Sequence, residues 1–371
     1  MTLLHHAFAD LPAPRPDAEA YARNLRLALA RSPRTRDNYE ALQRGSRDET
    51  VAHLPTKLDF ENVSRCNFRC AMCQVSHWES GRRAADMRFE DFARIIDELD
   101  TLVEIKLQGV GEPLLGGDAY FRMIRYARER HIWVRTTTNA SLLHLRDYAR
   151  QLVDSGVNEV QVSLDGASRE VFEAIRHGGD FALVTGNCAL LNRLANERDL
   201  LLTRMWVVVQ QLNAPEMTSL VELGSQLGFK RITFSLDLHG WGQDHVAAAN
   251  RELAVSEAEV LNRAFLALER GTELGVEVTY WRNTTKYDVH EPSRLCPWPF
   301  ERAFVSSDLR VVPCCMIGNP EVVELGPALD FATTWNSEAY RAFRRAHIEG
   351  RLPDACKACY ESAPDKNKSL G

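Results

Sequence analysis

The sequence lacks the features that would point to a membrane or to nucleic acid. No apolar run approaches the ~18 residues of a membrane-spanning helix, and residues 1–10 lack a basic segment followed by a long apolar stretch. The chain has 45 basic and 51 acidic residues, and its basic residues are dispersed, so no surface is predicted to attract DNA or RNA. We therefore expect a cytoplasmic protein with neither a membrane nor a nucleic acid as its partner.

Internal repeats and low-complexity segments are also absent. The 371 residues, 45% hydrophobic and 26% charged, are typical of an ordinary globular chain with room for two or three domains. Nine cysteines are present, and a reducing compartment disfavours disulfides. Closely spaced cysteines therefore predict ligands of a metal or a cluster.

Three of the cysteines form one such group. Cys66, Cys70 and Cys73 have C-x3-C-x2-C spacing between an apolar-alternating segment and a polar turn. Thiolates select zinc or iron-sulfur clusters, and a closed structural site needs four ligands, so three leave one position open. A zinc knuckle or separately buried cysteines are the alternatives.

This loop resembles the cluster loop of the radical S-adenosylmethionine (SAM) superfamily. In that family the open iron of a [4Fe-4S] cluster holds the amino and carboxylate groups of SAM. The resemblance implies that Cys66, Cys70 and Cys73 ligate the catalytic cluster.

Strand-like and helix-like segments alternate six times after residue 56. Such alternation predicts a parallel sheet with right-handed crossovers, here a partial (β/α)6 TIM-like barrel of the α/β class, with its site at the carboxyl ends of the strands. The predicted strands are 57–63, 103–108, 132–137, 159–164, 201–209 and 231–235, and the predicted helices are 89–100, 119–130, 143–155, 181–196, 215–227 and 256–274.

Three regions follow from this pattern. Residues 1–55 form a helical leader with helices over 17–30 and 35–44, the first ended by Pro33, and we expect it to pack over the barrel as a cap. Residues 56–280 form the barrel. Residues 281–371, rich in cysteine, proline and turns, form a small cysteine-rich iron-sulfur domain.

Small or polar residues follow the predicted strands, although such residues are also common in caps and turns. Gly111 and Glu112 stand in a run that resembles the family's GGEP motif, with Val110 in place of its first glycine, and Glu112 is expected to accept a hydrogen bond from the SAM ammonium. Arg176 resembles an arginine that reaches the SAM carboxylate, and a surface ion pair is the alternative. The residues assigned to SAM binding by the resemblance are Met72, Gly111, Glu112, Pro113, Thr138, Asn139, Ser163, Asp165, Arg176 and Asn213.

A second cysteine group lies near the C-terminus. Cys296, Cys314, Cys356 and Cys359, with Cys315 as the alternative to Cys314, resemble the ligands of a SPASM or twitch-type domain, although Leu309 stands where that family usually has glycine. Five cysteines in this region imply one auxiliary [4Fe-4S] cluster, and a four-thiolate zinc site is the alternative. The ninth cysteine, Cys188, lies in an apolar helical stretch and is expected in the core, with a hydrogen-atom donor as the alternative.

The resemblance also implies a reaction. An external one-electron donor such as flavodoxin or ferredoxin would reduce the cluster, and SAM would be cleaved to methionine and a 5'-deoxyadenosyl radical that abstracts hydrogen from a substrate. Asp237, His239 and Trp241 follow the sixth strand and are predicted to contact that substrate, with ordinary loop polarity as the alternative. The same run matches a D-x-H-x-x-G cobalamin pattern, but no flavodoxin-like domain precedes the barrel, so no cobalamin is expected.

Three functions fit these features. We expect oxidation, epimerisation or elimination on a small natural product or a sugar or aminocyclitol, because the leader is too short and too helical for a peptide-recruiting domain. A peptide-modifying maturase is the alternative. A non-catalytic iron-sulfur sensor or electron carrier is a third hypothesis, which the predicted SAM motifs argue against.

Overall fold

The leader consists of two capped helices. The computed structural model describes residues 8–78, 83, 85–282 and 286–360. Helix α1 (Ala18–Ala30) begins after Asp17, whose side chain accepts a hydrogen bond from the Ala20 amide at 2.9 Å. Helix α2 (Pro33–Arg44) begins at Pro33, two residues earlier than predicted, because Ser32 caps it and proline suits the first helical turn.

All six predicted strands are present in one sheet, and consecutive strands pair in parallel. Between residues 57 and 281, helices Arg169–Ile175 and Asp244–Leu253 were not predicted, and a seventh parallel strand, Glu277–Trp281, extends the sheet. In chain order the elements are β1 (Lys57–Phe60), α3 (Phe89–Glu98), β2 (Glu104–Leu107), α4 (Asp118–Glu129), β3 (Trp133–Thr138), α5 (Tyr148–Asp154), β4 (Glu159–Ser163), α6 (Arg169–Ile175), α7 (Phe181–Asn196), β5 (Thr203–Val208), α8 (Met217–Gln226), β6 (Arg231–Ser235), α9 (Asp244–Leu253), α10 (Glu257–Leu274) and β7 (Glu277–Trp281).

The C-terminal segment joins the same sheet at its other edge. Its elements are α11 (Trp298–Glu301), β8 (Arg302–Val305), β9 (Arg310–Val312), β10 (Gly326–Pro327), α12 (Phe331–Trp335) and α13 (Glu338–Ile348). Strand β8 lies parallel to β1, with Arg302 opposite Lys57, and β9 and β10 add antiparallel strands outside it. The sequence analysis described this region only as rich in cysteine, proline and turns, and did not predict these strands.

The barrel strands separate apolar from charged residues by alternation. On β1 and β2, Leu58, Phe60, Ile105 and Leu107 are fully buried against the helices. The residues between them, such as Lys106, face the barrel interior and line its cavity. Side chains on a strand alternate between its faces, so the interior of this barrel is polar and its apolar core lies between sheet and helices.

The segment before α1 closes the amino end of the barrel. The carbonyl of Pro12 accepts from the Tyr280 amide at 2.8 Å, and the carbonyl of Arg15 accepts from Arg204 Nη2 at 2.7 Å. The Tyr21 hydroxyl donates to Glu104 Oε2 at 2.9 Å. These contacts make the leader the floor of the barrel. None of the helices in the described ranges is long and apolar enough to cross a membrane.

Candidate iron-sulfur and substrate site

One cavity of about 730 Å³ runs from the cysteine loop to the leader's floor. Its size lies within the range of ligand clefts. Most of the predicted site residues line it, namely Cys66, Cys70, Cys73, Met72, Gly111, Glu112, Thr138, Asn139, Ser163, Arg176, Asp237, His239 and Trp241. The cavity therefore brings together the predicted cluster ligands, SAM contacts and substrate contacts.

The cysteine loop is held by the segment that follows β4. The amide of Arg69 donates to the His177 carbonyl at 2.8 Å, and the amide of Ala71 donates to the Ile175 carbonyl at 3.1 Å. Ile175 ends helix α6, which the sequence analysis missed. This short helix fixes the backbone of the loop from one side.

The three thiols share a partly buried pocket at this loop. Burial raises the pKa of Cys66 to about 12 and that of Cys73 to about 11, and it also raises the pKa of Cys70. Asn139 Nδ2 lies 3.9 Å from Cys66 Sγ, and Arg176 Nη1 lies 3.7 Å from Cys70 Sγ. Thiolates are soft ligands that suit an iron-sulfur cluster. The Asn139 and Arg176 donors also fit this assignment, because cluster sulfurs accept hydrogen bonds.

Glu112 is held rigidly on the cavity wall. Its Oε1 accepts from the Thr138 hydroxyl at 2.7 Å and its Oε2 accepts from the Asn139 amide at 2.8 Å. Burial raises the pKa of this carboxyl, against these hydrogen bonds. A Cβ at Gly111 would lie 2.2 Å from the Arg65 carbonyl oxygen, so only glycine lets the two segments meet here.

Three of the predicted SAM contacts lie behind the wall instead of on it. Asp165 is fully buried, and its Oδ1 accepts from the Val208 amide at 2.7 Å. Asn213 Nδ2 donates to the carbonyls of Asp165 and Val208 at 2.8 and 2.9 Å, so both hydrogens of its side-chain amide are bonded to backbone carbonyls. Pro113 opens the turn Pro113–Gly116, and its carbonyl accepts from Asn62 Nδ2. These three residues do not line the cavity in the part of the chain that the structure describes, and their direct contact with SAM stays a prediction.

The loop after β6 contributes the predicted substrate side of the cavity. His239 Nε2 lies 3.8 Å from Asp237 Oδ1, and its ring lies edge-on to Trp241 at 6.2 Å. Burial lowers the pKa of His239, against the opposing effect of Asp237. From helix α9, which sequence analysis also missed, Asn250 Nδ2 donates to the carbonyls of His239 and Met72 at 2.6 and 3.1 Å. One side chain thus ties the substrate loop to the cysteine loop.

The C-terminal cysteines form a second group. The thiol of Cys314 interacts electrostatically with those of Cys296, Cys356 and Cys359, and burial raises the pKa of all four. Among the described residues no three His, Cys, Asp or Glu side chains converge closely enough for a single metal ion. Four thiols in one electrostatic group fit the four-thiolate shell of a [4Fe-4S] cluster.

Cys315 has a different set of neighbours from Cys314. It lines the main cavity, and its electrostatic neighbours are Asp59, Lys106, Arg302 and Arg135. The two residues begin a turn in which the Cys314 carbonyl accepts from the Ile317 and Gly318 amides at 3.2 and 3.0 Å. Cys314, and not Cys315, has Cys296, Cys356 and Cys359 among its main electrostatic neighbours, which favours Cys314 as the predicted ligand.

The sequence analysis missed the charged lining of the lower barrel. A signal was present, because β1, β2 and β4 read KLDF, EIKL and EVQVS, whereas parallel strands covered on both faces are usually continuous apolar runs. The residues concerned are Lys57, Asp59, Glu104, Lys106, Arg135, Glu159, Gln161, Arg204 and Arg302.

Comparison with known proteins identifies the class that this fold and site define. The family model of the radical SAM superfamily matches residues 63–223, and that of SPASM, an iron-sulfur cluster-binding domain, matches residues 296–360. The chain thus contains a radical SAM domain followed by a C-terminal SPASM domain. Its cofactors are accordingly a SAM-binding [4Fe-4S] cluster, an auxiliary cluster and SAM, and the resemblance seen in the sequence is confirmed.

Individual relatives match over parts of their length. The mycofactocin maturase of Mycobacterium ulcerans is 34% identical to this chain, over 35% of this chain and 34% of the maturase. The GTP 3',8-cyclase of Nautilia profundicola is 32% identical, over 46% of this chain and 54% of the cyclase. The chain thus spans about a third to a half of the curated relatives that it matches. Streptococcus suis SuiB bound to precursor peptide SuiA has a TM-score of 0.64 at 14% identity, covering 83% of this chain and 70% of SuiB, which shows the shared fold.

Proposed function

We propose that this protein is a radical SAM maturase that abstracts hydrogen from a residue of a peptide. The supporting observation is that mycofactocin maturases are among the relatives with 30–34% identity, and that the similarity to SuiB bound to its precursor peptide covers 83% of this chain. This proposal reverses the preference for a small molecule, which rested on the shortness of the leader. The leader instead forms the floor of the barrel, so its length says nothing about peptide recruitment.

The cavity suits a chain-like polar substrate. It extends below the cysteine loop to Tyr21 and Pro14, and its lower half is lined by charged side chains. A peptide residue could enter from the side of Asp237, His239 and Trp241 and reach the end of the cavity at the cysteine loop. Its polar groups would then contact the charged side chains of the cavity lining. An apolar substrate would cover these polar side chains without offering them hydrogen bonds, which is unfavourable inside a closed site.

Within this proposal each residue group has a distinct task. Cys66, Cys70 and Cys73 would hold the catalytic cluster, which would supply the electron for SAM cleavage after reduction by an external donor such as flavodoxin or ferredoxin. Glu112 would accept a hydrogen bond from the SAM ammonium, and Arg176 would bind its carboxylate. Cys296, Cys314, Cys356 and Cys359 would hold the auxiliary cluster. The surrounding wall excludes water and stray hydrogen donors while the substrate is reactive.

A small-molecule substrate is the second candidate. The observation that favours it is the similarity to a GTP 3',8-cyclase, which covers more of the chain than the Mycobacterium ulcerans maturase does. A non-catalytic sensor is disfavoured, because the polar residues around the thiols form a cavity of ligand size.

The test begins with anaerobically reconstituted protein, SAM and dithionite, assayed for 5'-deoxyadenosine. The Cys66/Cys70/Cys73→Ala variant is the control and should form none. The protein is then co-expressed with short peptides encoded beside its gene, and peptide masses are compared between wild type and this variant. A mass change lost in the variant supports the peptide proposal. Stimulation of 5'-deoxyadenosine formation by a metabolite extract, with every peptide unchanged, would instead favour the small molecule.

A further inference from the structure

Some cations on the cavity wall are paired with carboxylates and others are not. Lys57 Nζ lies 2.9 Å from Glu104, Arg135 Nη2 lies 2.7 Å from the same carboxylate, and Arg176 Nη2 lies 2.6 Å from Asp165. Within the ranges that the structure describes, Lys106 and Arg302 have no carboxylate within ion-pair distance. They are therefore available to an anion that enters the cavity.

Lys106 lies in the middle of the polar interior. Its Nζ donates to Gln161 Oε1 at 2.9 Å, a neutral acceptor. The sheet register sets it between Asp59 on β1 and Arg135 on β3. An ammonium has three donors, so this single bond leaves capacity for a ligand.

Arg302 approaches the same region from β8. Its guanidinium lies 5.3 Å from the ring centre of Trp298, and its Nε is buried with no hydrogen-bond partner in the described part of the chain. Both Arg302 and Lys106 are electrostatic neighbours of Asp59 and of Cys315, which places the two cations on one patch of the wall. A buried donor without a partner is unfavourable, and a bound acceptor would remove that penalty.

The acidic group that both cations share does not neutralise this patch. Asp59 is 7% exposed and interacts electrostatically with Lys106, Arg135 and Arg302. It nevertheless forms no ion pair within 4.0 Å among the described residues. Arg135 is already paired with Glu104. Lys106 and Arg302 thus leave positive charge facing a space that is shielded from bulk water, where an anion is held strongly.

We propose that Lys106 and Arg302 form a carboxylate subsite that anchors the substrate below the cluster end of the cavity. The planar guanidinium of Arg302 supplies paired donors suited to a carboxylate, and Lys106 supplies a second charge. The source of this carboxylate rests on the proposed peptide function: it belongs to an Asp or Glu side chain or to the peptide's C-terminus. The anchor fixes which substrate atom faces the SAM site.

The subsite itself is tested with a small probe that needs no peptide. Equilibrium dialysis of the reconstituted holoenzyme with SAM compares labelled N-benzoylglycine with neutral N-benzoylglycinamide. We expect the acid to bind at least about tenfold more tightly, because hydrogen bonds to charged groups exceed neutral ones by that order. Equal binding of acid and amide by wild type overturns the proposal without recourse to any variant.

Variants then locate the preference. Lys106→Gln and Arg302→Gln should each reduce acid binding about tenfold, whereas Lys106→Arg and Arg302→Lys should retain most of it. Lys57→Gln is the matched control, since Lys57 lines the same cavity but is paired with Glu104. Each variant is accepted only with wild-type iron and sulfide content. An acid preference that survives both glutamine substitutions places the site elsewhere and overturns the proposal.

A peptide library distinguishes the source of the carboxylate. Random ten-residue peptides, with free or amidated C-termini, are captured on immobilised holoenzyme and sequenced. Enrichment of Asp or Glu in both sets identifies a side chain, and enrichment only of free C-termini identifies the terminus. Peptide capture with no carboxylate preference overturns the subsite alone. Binding of the small acid with no peptide captured retains the subsite and contradicts the peptide function.

Discussion

Arg176 is held by Asp165 so that its guanidinium also reaches the cysteine loop. Nε and Nη2 of Arg176 each lie 2.6 Å from Asp165 Oδ2, while Nη1 lies 3.7 Å from Cys70 Sγ. Both side chains are buried, and the Asp165 charge raises the pKa of Arg176 against the effect of its burial. The carboxylate at the end of β4 thus orients the arginine that the family resemblance assigns to SAM.

Removing that carboxylate should affect both stability and cofactor binding. Asp165→Asn leaves a buried guanidinium without its counter-charge, which typically lowers stability by about 3–5 kcal/mol. Because Arg176 then loses its orientation, we expect weaker SAM binding as well, measured by the SAM-induced change in the EPR spectrum of the reduced cluster.

The control for this variant is an exposed pair. Arg169→Gln breaks the helical pair of Arg169 with Glu173, in which the side chains are 54% and 37% exposed. Such pairs contribute about 0.3–0.5 kcal/mol, so the unfolding free energy and the SAM binding of this variant should be close to those of wild type. Equal behaviour of the two variants would mean that Asp165 does not orient Arg176.

Asn250 offers a second test, of the connection between the substrate and cysteine loops. Asn250→Ala removes the hydrogen bonds to the His239 and Met72 carbonyls, and we expect a loss of about 1–3 kcal/mol in unfolding free energy together with faster loss of iron in air. Gln211→Ala is the control, because the Gln211 side chain donates to the Ala254 carbonyl at an exposed site. An unchanged rate of iron loss in Asn250→Ala would show that helix α9 does not secure the cysteine loop.

Local signals explain which elements the sequence predicts well. Strand Arg231–Ser235 and helix Phe181–Asn196 match their predicted bounds, the helix because Asp180 caps it and an apolar stripe follows. Helix α9, read as DHVAAANREL, was missed because its polar composition lacks a wide apolar stripe. The cysteine spacings were informative because their ligands are close in sequence.

Long-range relationships were not predictable in this way. Arg302 lies beside Lys57 only because β8 pairs with β1, and no local pattern announces a contact between such distant segments. Asn213 shows the converse limit, since a polar residue at a strand end looks the same whether it faces a ligand or, as here, backbone carbonyls. The neighbours of Cys314 and Cys315 likewise depended on the fold of the sheet.

A pH-dependent prediction concerns His347, which is 1% exposed and whose Nδ1 lies 2.9 Å from the Phe343 carbonyl oxygen. Burial lowers the pKa of this histidine, so the folded state takes up its proton at lower pH than the unfolded state does. Its contribution to stability is therefore fully present above the unfolded pKa of about 6.5 and is lost as pH falls below that value. Thermal unfolding from pH 7.5 to 5.5 should show a smaller pH dependence for His347→Gln than for wild type. Parallel curves for the two proteins would show that His347 is not one of the groups responsible.

The adjacent thiols Cys314 and Cys315 give the sharpest test of the auxiliary site, because they differ in their neighbours and not in chemistry. Cys314 interacts with the thiols of Cys296, Cys356 and Cys359, while Cys315 faces Asp59 and Lys106 across the main cavity. We expect Cys314→Ser to lose about four irons per chain on anaerobic reconstitution, the content of one [4Fe-4S] cluster, and Cys315→Ser to keep the wild-type content. Iron and sulfide analysis with Mössbauer spectra measures both. Iron loss confined to Cys315→Ser would reverse the ligand assignment. About four irons with one zinc per wild-type chain would make the C-terminal site a structural zinc site.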